Sequence, residues 1–570
     1  MTRNEDSNPK VDWIGLGWQF LFFWYFSGVI QLLVKLSKTS ATGNFRFAML
    51  MSLLWLIPTL LFPKKTRIIT IVIGMVLWIT SLISLGYFFV YKQELSQSVI
   101  FIALESNIAE SSEFLAHYFQ WWMLAAIVVY SAGAYFLWHK IKPVYLPKKH
   151  ALMASVLLLP SILGKPLYKD LTRPEDVYSD KFEYVESQLE SAVPWRLVVG
   201  YSRYQEQLAI MQSLLQENSK VAPLRNLKDS LAGQPATLVL VIGESTNRNR
   251  MSLYGYARAT TPHLDSIKNE LAVFTNVVSP RPFTIEALEQ ALTFGDQEHP
   301  DYFKSKPTLM NMMKQAGYKT YWITNQQTIT KRNTMLTTFS QQTDEQYYLN
   351  NNPNQNETKQ YDADVLEPFE KILKQTQARK FIVVHLLGTH IDYKFRYPKE
   401  FDKFSGRNAV PNWIKNQQLA LYNAYDNAVL YNDFIVSSLI KQLSASEANG
   451  FMLYMSDHGE EVFDTPNKNF NGRDEGRPTQ AMYTIPFMLW TSKQWQASHR
   501  QDYQPLLNRP YSTSYFIHTW ADLAGLQFDE FDSSKSLINK DFKARERLIG
   551  DPNTRNMLTK FDALVQNETH

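Results

Sequence analysis

Side chains able to bind a metal follow two apolar runs in the C-terminal half of the chain. Glu244 comes directly after the run 237–243, and Asp457 and His458 come directly after the run 451–456. Carboxylate oxygens and imidazole nitrogens are ligands that zinc accepts at about 2 Å, usually four in number. The three side chains therefore predict a metal site that still needs a fourth ligand.

Thr284 is a candidate for that fourth ligand. It follows a Pro-Arg-Pro-Phe turn and begins a helical pattern that runs to Phe294, so its hydroxyl would lie at a helix N-terminus, where free backbone amides stabilise a phosphate. Zinc lowers the pKa of a bound hydroxyl and makes the alkoxide a usable nucleophile. A threonine at a helix start is more often only a cap, and Asp457 could also serve a capping role. The prediction therefore depends on all four groups occurring together.

The apolar runs indicate the sheet that would bring these groups together. The segments 237–242, 381–384 and 451–455 are almost uninterrupted apolar runs, which is typical of strands buried on both faces of a parallel sheet. Helical patterns such as 284–294 lie between them. Alternating strands and helices predict an α/β layered fold, in which ligands bind beyond the carboxyl ends of the strands.

The N-terminal part of the chain is dominated by hydrophobic stretches. The first, third and fourth are long enough to cross a hydrocarbon core of about 30 Å, whereas the second and fifth are short and each contains a proline. No small-residue cleavage site follows the first stretch, so we interpret it as a retained helix and not as a signal peptide. We predict five transmembrane helices in these stretches: 13–34, 47–62, 68–91, 121–138 and 151–164.

The distribution of lysine and arginine predicts the orientation of these helices. Positive residues are enriched in cytoplasmic loops, and they cluster after the second and fourth stretches, although the loop after the first stretch also carries some. This distribution of lysine and arginine among the loops places the N-terminus in the cytoplasm. Five crossings then put everything after about residue 165 outside the membrane, whereas four crossings would leave the enzyme domain in the cytoplasm. The positive residues after the second and fourth stretches are Lys64, Lys65, Arg67, Lys140, Lys142, Lys148 and Lys149. Those after the first stretch are Lys35, Lys38 and Arg46.

The composition limits the remaining chemistry and suggests the domain boundaries. The 570 residues carry a net charge of +4 and no cysteine, which excludes disulfides, thiolate zinc sites and cysteine nucleophiles and gives no indication of a nucleic-acid partner. We predict a transmembrane domain over 1–165, interfacial helices and a linker over 166–230, and a catalytic domain over 231–570. The amphipathic stretches between 173 and 227 suit either the headgroup layer or an ordinary linker helix.

Four segments together resemble the phosphoethanolamine transferases of Gram-negative bacteria, which belong to the alkaline phosphatase superfamily. The resemblance covers nearly the whole chain. It implies five transmembrane helices followed by an alkaline phosphatase-like α/β/α sandwich with a mainly parallel sheet. It also implies one zinc ion held by Glu244, Thr284, Asp457 and His458, with Thr284 as the nucleophile that carries a covalent phosphoethanolamine. The segments are Val241-Ile-Gly-Glu-Ser-Thr, Thr284, Gly388-Thr-His390 and Ser456-Asp-His-Gly-Glu460.

The same resemblance implies residues that contact the substrate. His390 matches the histidine that meets the phosphoryl group, and Thr328 and Arg332 lie where the family places a serine and a lysine. We also expect Glu110, in the acidic loop between the third and fourth helices, to meet the ammonium of ethanolamine through a charge-assisted hydrogen bond. Alternatively, the acidic residues of this loop merely keep it free of positive charge.

One position departs from the family pattern. Many relatives have a further histidine ten or twelve residues after the metal-binding histidine, also near the phosphoryl group. Here these positions are Lys468 and Phe470. Either Lys468, Arg473 or Arg477 takes over the role of that histidine, or the site functions without it.

The implied reaction transfers phosphoethanolamine from phosphatidylethanolamine to lipopolysaccharide, on the periplasmic side of the inner membrane. Segments 281–294, 324–328 and 385–390 look like the subgroup that modifies an inner-core heptose. Transfer to lipid A and a phosphoglycerol transferase of the lipoteichoic acid synthase type are alternatives. A sulfatase would need a Cys/Ser-x-Pro-x-Arg motif, which the chain lacks, and an inactive membrane scaffold would be expected to have a broken metal set.

Overall fold

The computed structural model divides into two compact units, Met1–Gln207 and Leu208–His570. The finer division into 1–165, 166–230 and 231–570 stays a prediction. Thr328, Arg332 and Glu110 lie outside the described residues. The structure describes residues 11–36, 43–91, 95, 100, 119–172, 182–216, 221–326, 335–349, 361–466, 468–499, 501–553 and 558–569.

The N-terminal unit contains four helices that are long and apolar enough to cross a membrane: Trp13–Leu36, Pro63–Val90, Trp121–Lys140 and Lys148–Thr172. The second predicted stretch forms a shorter apolar helical segment, Phe45–Leu61, which includes one 3₁₀ turn at Leu53–Trp55. At 1.5 Å per residue it is about 25 Å long, slightly less than the hydrocarbon core of about 30 Å. Four of the five predicted helices thus have the required length, and a crossing by the second predicted stretch stays a prediction.

Polar side chains join helices of this unit in its interior. We name its helices α1 to α8. The Tyr130 hydroxyl on α5 donates a hydrogen bond to Ser81 on α4 (2.7 Å), and the Trp78 indole donates to Ser131 (3.1 Å). Such interhelical bonds satisfy groups that hydrocarbon would leave without partners. The helices are α1 (Trp13–Leu36), α2 (Gly43–Ser52), α3 (Leu56–Leu61), α4 (Thr66–Tyr91), α5 (Trp121–Lys140), α6 (Lys148–Thr172), α7 (Glu183–Leu189) and α8 (Trp195–Gln216).

The C-terminal unit is built on a seven-stranded sheet in the order β2-β7-β6-β1-β5-β3-β4. Strand β7 is antiparallel to both of its neighbours, and the other pairs are parallel. The predicted mainly parallel sheet is therefore confirmed. The strands are β1 (Ala236–Gly243), β2 (Leu271–Val273), β3 (Lys319–Thr324), β4 (Glu345–Tyr348), β5 (Arg379–His385), β6 (Gly450–Ser456) and β7 (Phe487–Thr491).

The central strand β1 is buried on both faces, as its apolar run predicts. Leu238, Leu240 and Ile242 face one hydrophobic core, whereas Val239 and Val241 face another. Because successive side chains of a strand alternate between faces, both faces must be covered by helices. The sandwich is therefore α/β/α, with the helices on the two sides of the sheet.

Helices from different parts of the chain cover the two faces. The first core includes Leu288 of α10 and Trp520 of α18, and the second includes Phe369 of α14 and Val436 of α15. The helices of this unit are α9 (Pro262–Ser266), α10 (Thr284–Ala291), α11 (Tyr302–Ser305), α12 (Leu309–Gln315), α13 (Met335–Gln341), α14 (Leu366–Leu373), α15 (Leu419–Ala445), α16 (Gln480–Tyr483), α17 (Lys493–Ser498), α18 (Phe516–Leu523) and α19 (Phe561–Thr569).

Short two-stranded ribbons lie outside the central sheet. One of them, which we call the 461–472 ribbon, pairs Glu461–Val462 with Asn471–Gly472 in antiparallel fashion directly after the loop that follows β6. The other pairs are Lys228–Asp229 with Leu526–Gln527, Val277–Val278 with Tyr511–Ser512, and Leu548–Ile549 with Thr559–Lys560.

Candidate active site

Four neighbouring parallel strands bring the candidate residues to one edge of the sheet. Strands β6, β1, β5 and β3 are adjacent in that order and end at Ser456, Gly243, His385 and Thr324. The loops that follow them therefore begin side by side. This edge is where α/β folds bind their ligands.

The four predicted ligands form one cluster at this edge. Oγ1 of Thr284 lies 3.0 Å from Oε2 of Glu244 and 3.2 Å from Nε2 of His458. The same His458 nitrogen lies 3.3 Å from Oε1 of Glu244 and 3.2 Å from Oδ2 of Asp457. Glu244, Asp457 and His458 are buried, and Thr284 is half-buried.

Thr284 reaches the cluster because α10 begins with it. Phe283, the residue before the helix, has an extended backbone, so the chain turns into the helix at the nucleophile candidate. Ile285 and Leu288 of the helix are buried in the first core and fix its position against the sheet. The hydroxyl therefore lies at a helix N-terminus, as predicted, close to the free amides of the first turn.

Backbone and hydroxyl groups hold the two carboxylates in place. The hydroxyl of Ser245 donates to Oε1 of Glu244 (2.7 Å), and the backbone N–H of Ser245 donates to Oδ1 of Asp457 (3.0 Å). The backbone N–H of His458 donates to the same Asp457 oxygen (2.7 Å). Gln326, after β3, donates to Oε2 of Glu244 (3.3 Å). These bonds orient the carboxylates before any metal binds.

The ring of His458 is held in the tautomer that a metal requires. Its Nδ1 lies 2.9 Å from the carbonyl oxygen of Gly459, to which an Nδ1–H donates. Nε2, the nitrogen that faces the carboxylates, then carries the lone pair that a metal ligand needs. Gly459 itself must be glycine, since a Cβ there would lie 2.1 Å from the carbonyl oxygen of Ala481.

The loop after β5 packs directly on Glu244. Gly388 has a φ of +54°, and a Cβ on it would lie 2.8 Å from the backbone nitrogen and oxygen of Glu244. Only glycine allows this approach, which places Thr389 so that its hydroxyl donates to the Glu244 carbonyl (2.9 Å). His390 follows. Burial lowers its pKa to about 3, partly offset by the charge of Glu244, so its imidazole is neutral and lies within electrostatic range of the cluster.

The electrostatics of the cluster call for a cation. Burial raises the pKa of Glu244, but its interactions with His458, His390 and Arg473 outweigh this effect and hold the pKa well below its usual value. Burial and the nearby charge of Glu244 raise the pKa of Asp457 well above its usual value. Two buried carboxylates that repel each other are stabilised by positive charge between them.

The residues fit a zinc ion. Ligands at about 2.0–2.1 Å in a tetrahedron lie about 3.3–3.4 Å from one another. Thr284 Oγ1 and Asp457 Oδ2 each lie 3.2 Å from His458 Nε2, and the two oxygens of Glu244 lie 3.0 Å from Thr284 Oγ1 and 3.3 Å from His458 Nε2, respectively. Oδ2 of Asp457 is buried and has no hydrogen-bond partner in the part of the chain that the structure describes. A buried carboxylate oxygen left without such a partner is available to a metal ion.

Comparisons with known proteins identify the family. The sulfatase family model matches residues 236–526. Two phosphoethanolamine transferases, EptC of Escherichia coli and CptA of Salmonella typhimurium, are each 49% identical to the chain over 98% of its length and 97% of theirs. The chain belongs to the phosphoethanolamine transferases of the sulfatase family. The recognised resemblance and the enzyme class are thereby confirmed.

Solved structures of related transferases match the fold. The C-terminal periplasmic domain of E. coli EptC, in complex with Zn, is 55% identical and has a TM-score of 0.59, covering 60% of this chain and 97% of that one. The integral membrane transferase EptA of Neisseria meningitidis has a TM-score of 0.61 at 19% identity, covering 92% and 97%. Together with the four apolar helices, these matches confirm the predicted fold class, an N-terminal unit of apolar helices followed by an α/β domain of the sulfatase type.

Several residues at the site were not assigned a role from the sequence. Ser245 and Gln326 lie in segments used for the resemblance, but nothing in their spacing indicates that they hold Glu244. Of the three residues considered as replacements for a second histidine, the structure brings Arg473 to the cluster. Lys468 instead lies 3.2 Å from Glu568, and the Arg477 backbone N–H donates to the Asp474 carbonyl.

Proposed function

We propose that this transferase moves phosphoethanolamine from phosphatidylethanolamine to lipopolysaccharide, at an inner-core heptose, through a covalent intermediate on Thr284. The observation that carries this proposal is the meeting of Thr284 with Glu244, Asp457 and His458 at one buried point. A threonine that merely capped a helix would not need a carboxylate and an imidazole within 3.2 Å of its hydroxyl.

In the first half-reaction, Oγ1 of Thr284 forms a bond to the donor phosphorus while the bond from phosphorus to the glycerol oxygen breaks. The threonine proton leaves with the released diacylglycerol. In the second, an oxygen of the acceptor's sugar hydroxyl or sugar phosphate forms a bond to the same phosphorus, the bond to Thr284 breaks, and the acceptor's proton returns to the threonine. Each half exchanges one phosphorus–oxygen bond for another, so no further reactant is needed.

Four side chains, Glu244, Thr284, Asp457 and His458, would hold one zinc ion. When bound, it would supply positive charge to the threonine oxygen and to the transferring group. The chain itself orients the nucleophile at the start of α10 and fixes the carboxylates through Ser245. Positioning and electrostatics provide most of the catalysis in phosphoryl transfer.

The remaining substrate contacts follow from the resemblance. His390 would meet the phosphoryl group, and its position beside the cluster supports this role. Thr328 and Arg332 would contact the same group, and Glu110 would meet the ammonium of the donor. The heptose acceptor is favoured over lipid A because segments 281–294, 324–328 and 385–390 resemble the subgroup that modifies the inner core.

A labelling experiment tests the intermediate. The full-length enzyme in detergent with zinc is incubated with phosphatidylethanolamine and digested, and the peptide that contains residues 284–294 is fragmented in a mass spectrometer. Phosphoethanolamine should appear on Thr284 and not on Thr293, whose hydroxyl donates to the Glu289 carbonyl. Diacylglycerol release without any label on Thr284 would remove this residue as the nucleophile.

The acceptor is tested on lipopolysaccharide from cells in which this is the sole such transferase. Mild acid separates lipid A from the core, and each part is analysed by mass spectrometry. Phosphoethanolamine should be found on the core heptose region. Its presence on the lipid A part alone would favour the lipid A alternative, and phosphoglycerol in place of phosphoethanolamine would favour the lipoteichoic acid synthase type.

The membrane topology can be tested because the chain has no cysteine. With a periplasmic catalytic domain, five crossings place the N-terminus in the cytoplasm, whereas four place it in the periplasm. Ser7→Cys should therefore resist a membrane-impermeant thiol reagent in intact cells with a permeabilised outer membrane. Ser498→Cys, on α17 of the catalytic unit, should react and serves as the control. Labelling of both would show that Phe45–Leu61 does not cross.

A further inference from the structure

An arginine from outside the ligand set reaches the cluster. Nη1 of Arg473 lies 2.5 Å from Nε2 of His458 and 3.6 Å from Oε1 of Glu244. Its side chain is 16% exposed. Arg473 comes directly after the 461–472 ribbon, which folds back toward the site from the loop that carries the ligands Asp457 and His458.

Neighbouring groups fix the direction of this side chain. Nε of Arg473 lies 3.2 Å from Oε2 of Glu460. The guanidinium also lies over the ring of Phe283, 5.8 Å from its centre, and Phe283 directly precedes Thr284. Glu460 in turn accepts a hydrogen bond from Tyr393 (3.2 Å). The Nε side of the Arg473 guanidinium thus faces a carboxylate, while its Nη1 is directed at the cluster.

The distance to the nucleophile suits a shared phosphoryl group. Thr284 Oγ1 and Arg473 Nη1 lie 3.2 Å and 2.5 Å from the same His458 nitrogen, so they cannot be more than about 6 Å apart. A phosphoryl group on the threonine oxygen, together with a charge-assisted hydrogen bond of about 2.8 Å, spans a distance of that size. Arginine is well suited to this contact because its planar fork matches phosphate oxygens.

We infer that Arg473 is a catalytic residue that contacts the transferred phosphoryl group on Thr284, and that Glu460 is the positioning residue that aims it. This inference rests on the proposed function and names a further contact in the same site. In both half-reactions the guanidinium donates to a phosphoryl oxygen that does not change partners. It forms no covalent bond and transfers no proton, so it stabilises charge without altering the balance of either step.

The test measures diacylglycerol release from phosphatidylethanolamine by the full-length enzyme, with zinc content measured on the same samples. Removing one preorganised donor to a developing charge costs about 100- to 1,000-fold in rate, so Arg473→Met should lose about that much kcat while it retains zinc. Arg473→Lys keeps the charge without the fork and should fall between Arg473→Met and wild type. Lys468→Met, which removes an exposed positive charge from the same ribbon, is the matched control and should behave as wild type.

Glu460 is tested by the separation of kcat from KM. Glu460→Gln should lower kcat about tenfold with little change in KM, because a misdirected guanidinium still faces the bound donor but no longer meets the transition state.

Added guanidinium ion should restore part of the activity of Arg473→Ala. A merely structural arginine would not be replaced by a small ion in solution.

The outcomes separate this inference from the proposed function. If wild type gives no phosphoethanolamine on Thr284, the proposed function fails. If wild type is labelled and Arg473→Met is labelled at the same rate, only the role of Arg473 fails. Loss of zinc in Arg473→Met and Arg473→Lys alike, without rescue by guanidinium, would also overturn the inference, because it would assign the arginine to holding the ligands.

Discussion

Among the described residues of the catalytic unit, two groups of acidic and histidine side chains look alike in composition. One is Glu244, Asp457 and His458, and the other is Asp296, Glu298 and His299. In each group, one potential ligand atom per residue lies within 4.8 Å of the others. Their surroundings differ: all members of the first group are buried, whereas Glu298 is exposed and His299 is half-buried.

The hydrogen bonds of the two aspartates explain the difference. Oδ1 of Asp296 accepts the backbone N–H groups of Glu298 (2.9 Å) and His299 (2.7 Å), and its Oδ2 lies 2.6 Å from the ammonium of Lys535. Both oxygens are therefore in use. Asp457 also accepts backbone N–H groups on Oδ1, but its buried Oδ2 has no hydrogen-bond partner among the described residues. The carboxylate of Asp296 is thus occupied by a turn and an ion pair, whereas Oδ2 of Asp457 is available to a metal ion.

Matched aspartate variants should give the largest contrast. Asp457→Asn removes a ligand and should abolish zinc binding. The loss of metal assistance is worth several kcal/mol of transition-state stabilisation, about a thousandfold or more in rate. Zinc content by elemental analysis and diacylglycerol release measure both effects. A chelator should reproduce them in wild type, with recovery on adding zinc, and full activity of the metal-free enzyme would contradict the proposed site.

The nucleophile comes next in expected effect. Thr284→Ala should stop diacylglycerol release but keep part of the zinc affinity, because the three remaining ligands still converge. Thr284→Ser retains the hydroxyl and should keep a measurable fraction of the rate, since only a methyl group is lost. Metal titration and product release distinguish the two functions of this residue. Substantial turnover by the alanine variant would show that another group attacks the donor.

A smaller effect is expected where only the orientation of a ligand is disturbed. Ser245→Ala removes the hydroxyl that donates to Glu244 but leaves the backbone N–H bond to Asp457. Loss of such an orienting bond typically costs about 10- to 100-fold in metal affinity. Competition with a zinc-binding dye would measure it. Unchanged affinity would mean that the remaining contacts of Glu244, such as the bond from Gln326, are enough to orient its carboxylate.

The smallest effect is predicted for the second group. Asp296→Asn should leave the zinc content and the rate of transfer unchanged and lower stability by about 1 kcal/mol, through the weakened pair with Lys535. Thermal unfolding measures this cost, and the same zinc assay used for Asp457→Asn provides the comparison. Loss of a second equivalent of zinc in this variant would show that the two groups are more alike than their hydrogen bonds indicate.

Much of the site could be predicted because short sequence patterns indicate where its residues lie. Glu244, Asp457 and His458 follow apolar runs, and a run buried on both faces implies a parallel sheet whose strand ends meet. Thr284 is recognisable because a proline-containing turn precedes a helical pattern. The two similar groups could not be told apart in this way, since residues 296–299 contain the same residue types and only their hydrogen bonds show which oxygen is free.

The sequence by itself determined the two-part organisation, the layered α/β fold and the residue types at the strand ends, because hydrophobic periodicity and turn residues act locally. Tertiary structure alone decided which distant groups complete the site. Gln326 meets Glu244 because their strands lie on either side of β5, and Arg473 is directed at His458 because the 461–472 ribbon folds back. Such contacts depend on strand order and on buried charge, and neither is encoded in the spacing of residues along the chain.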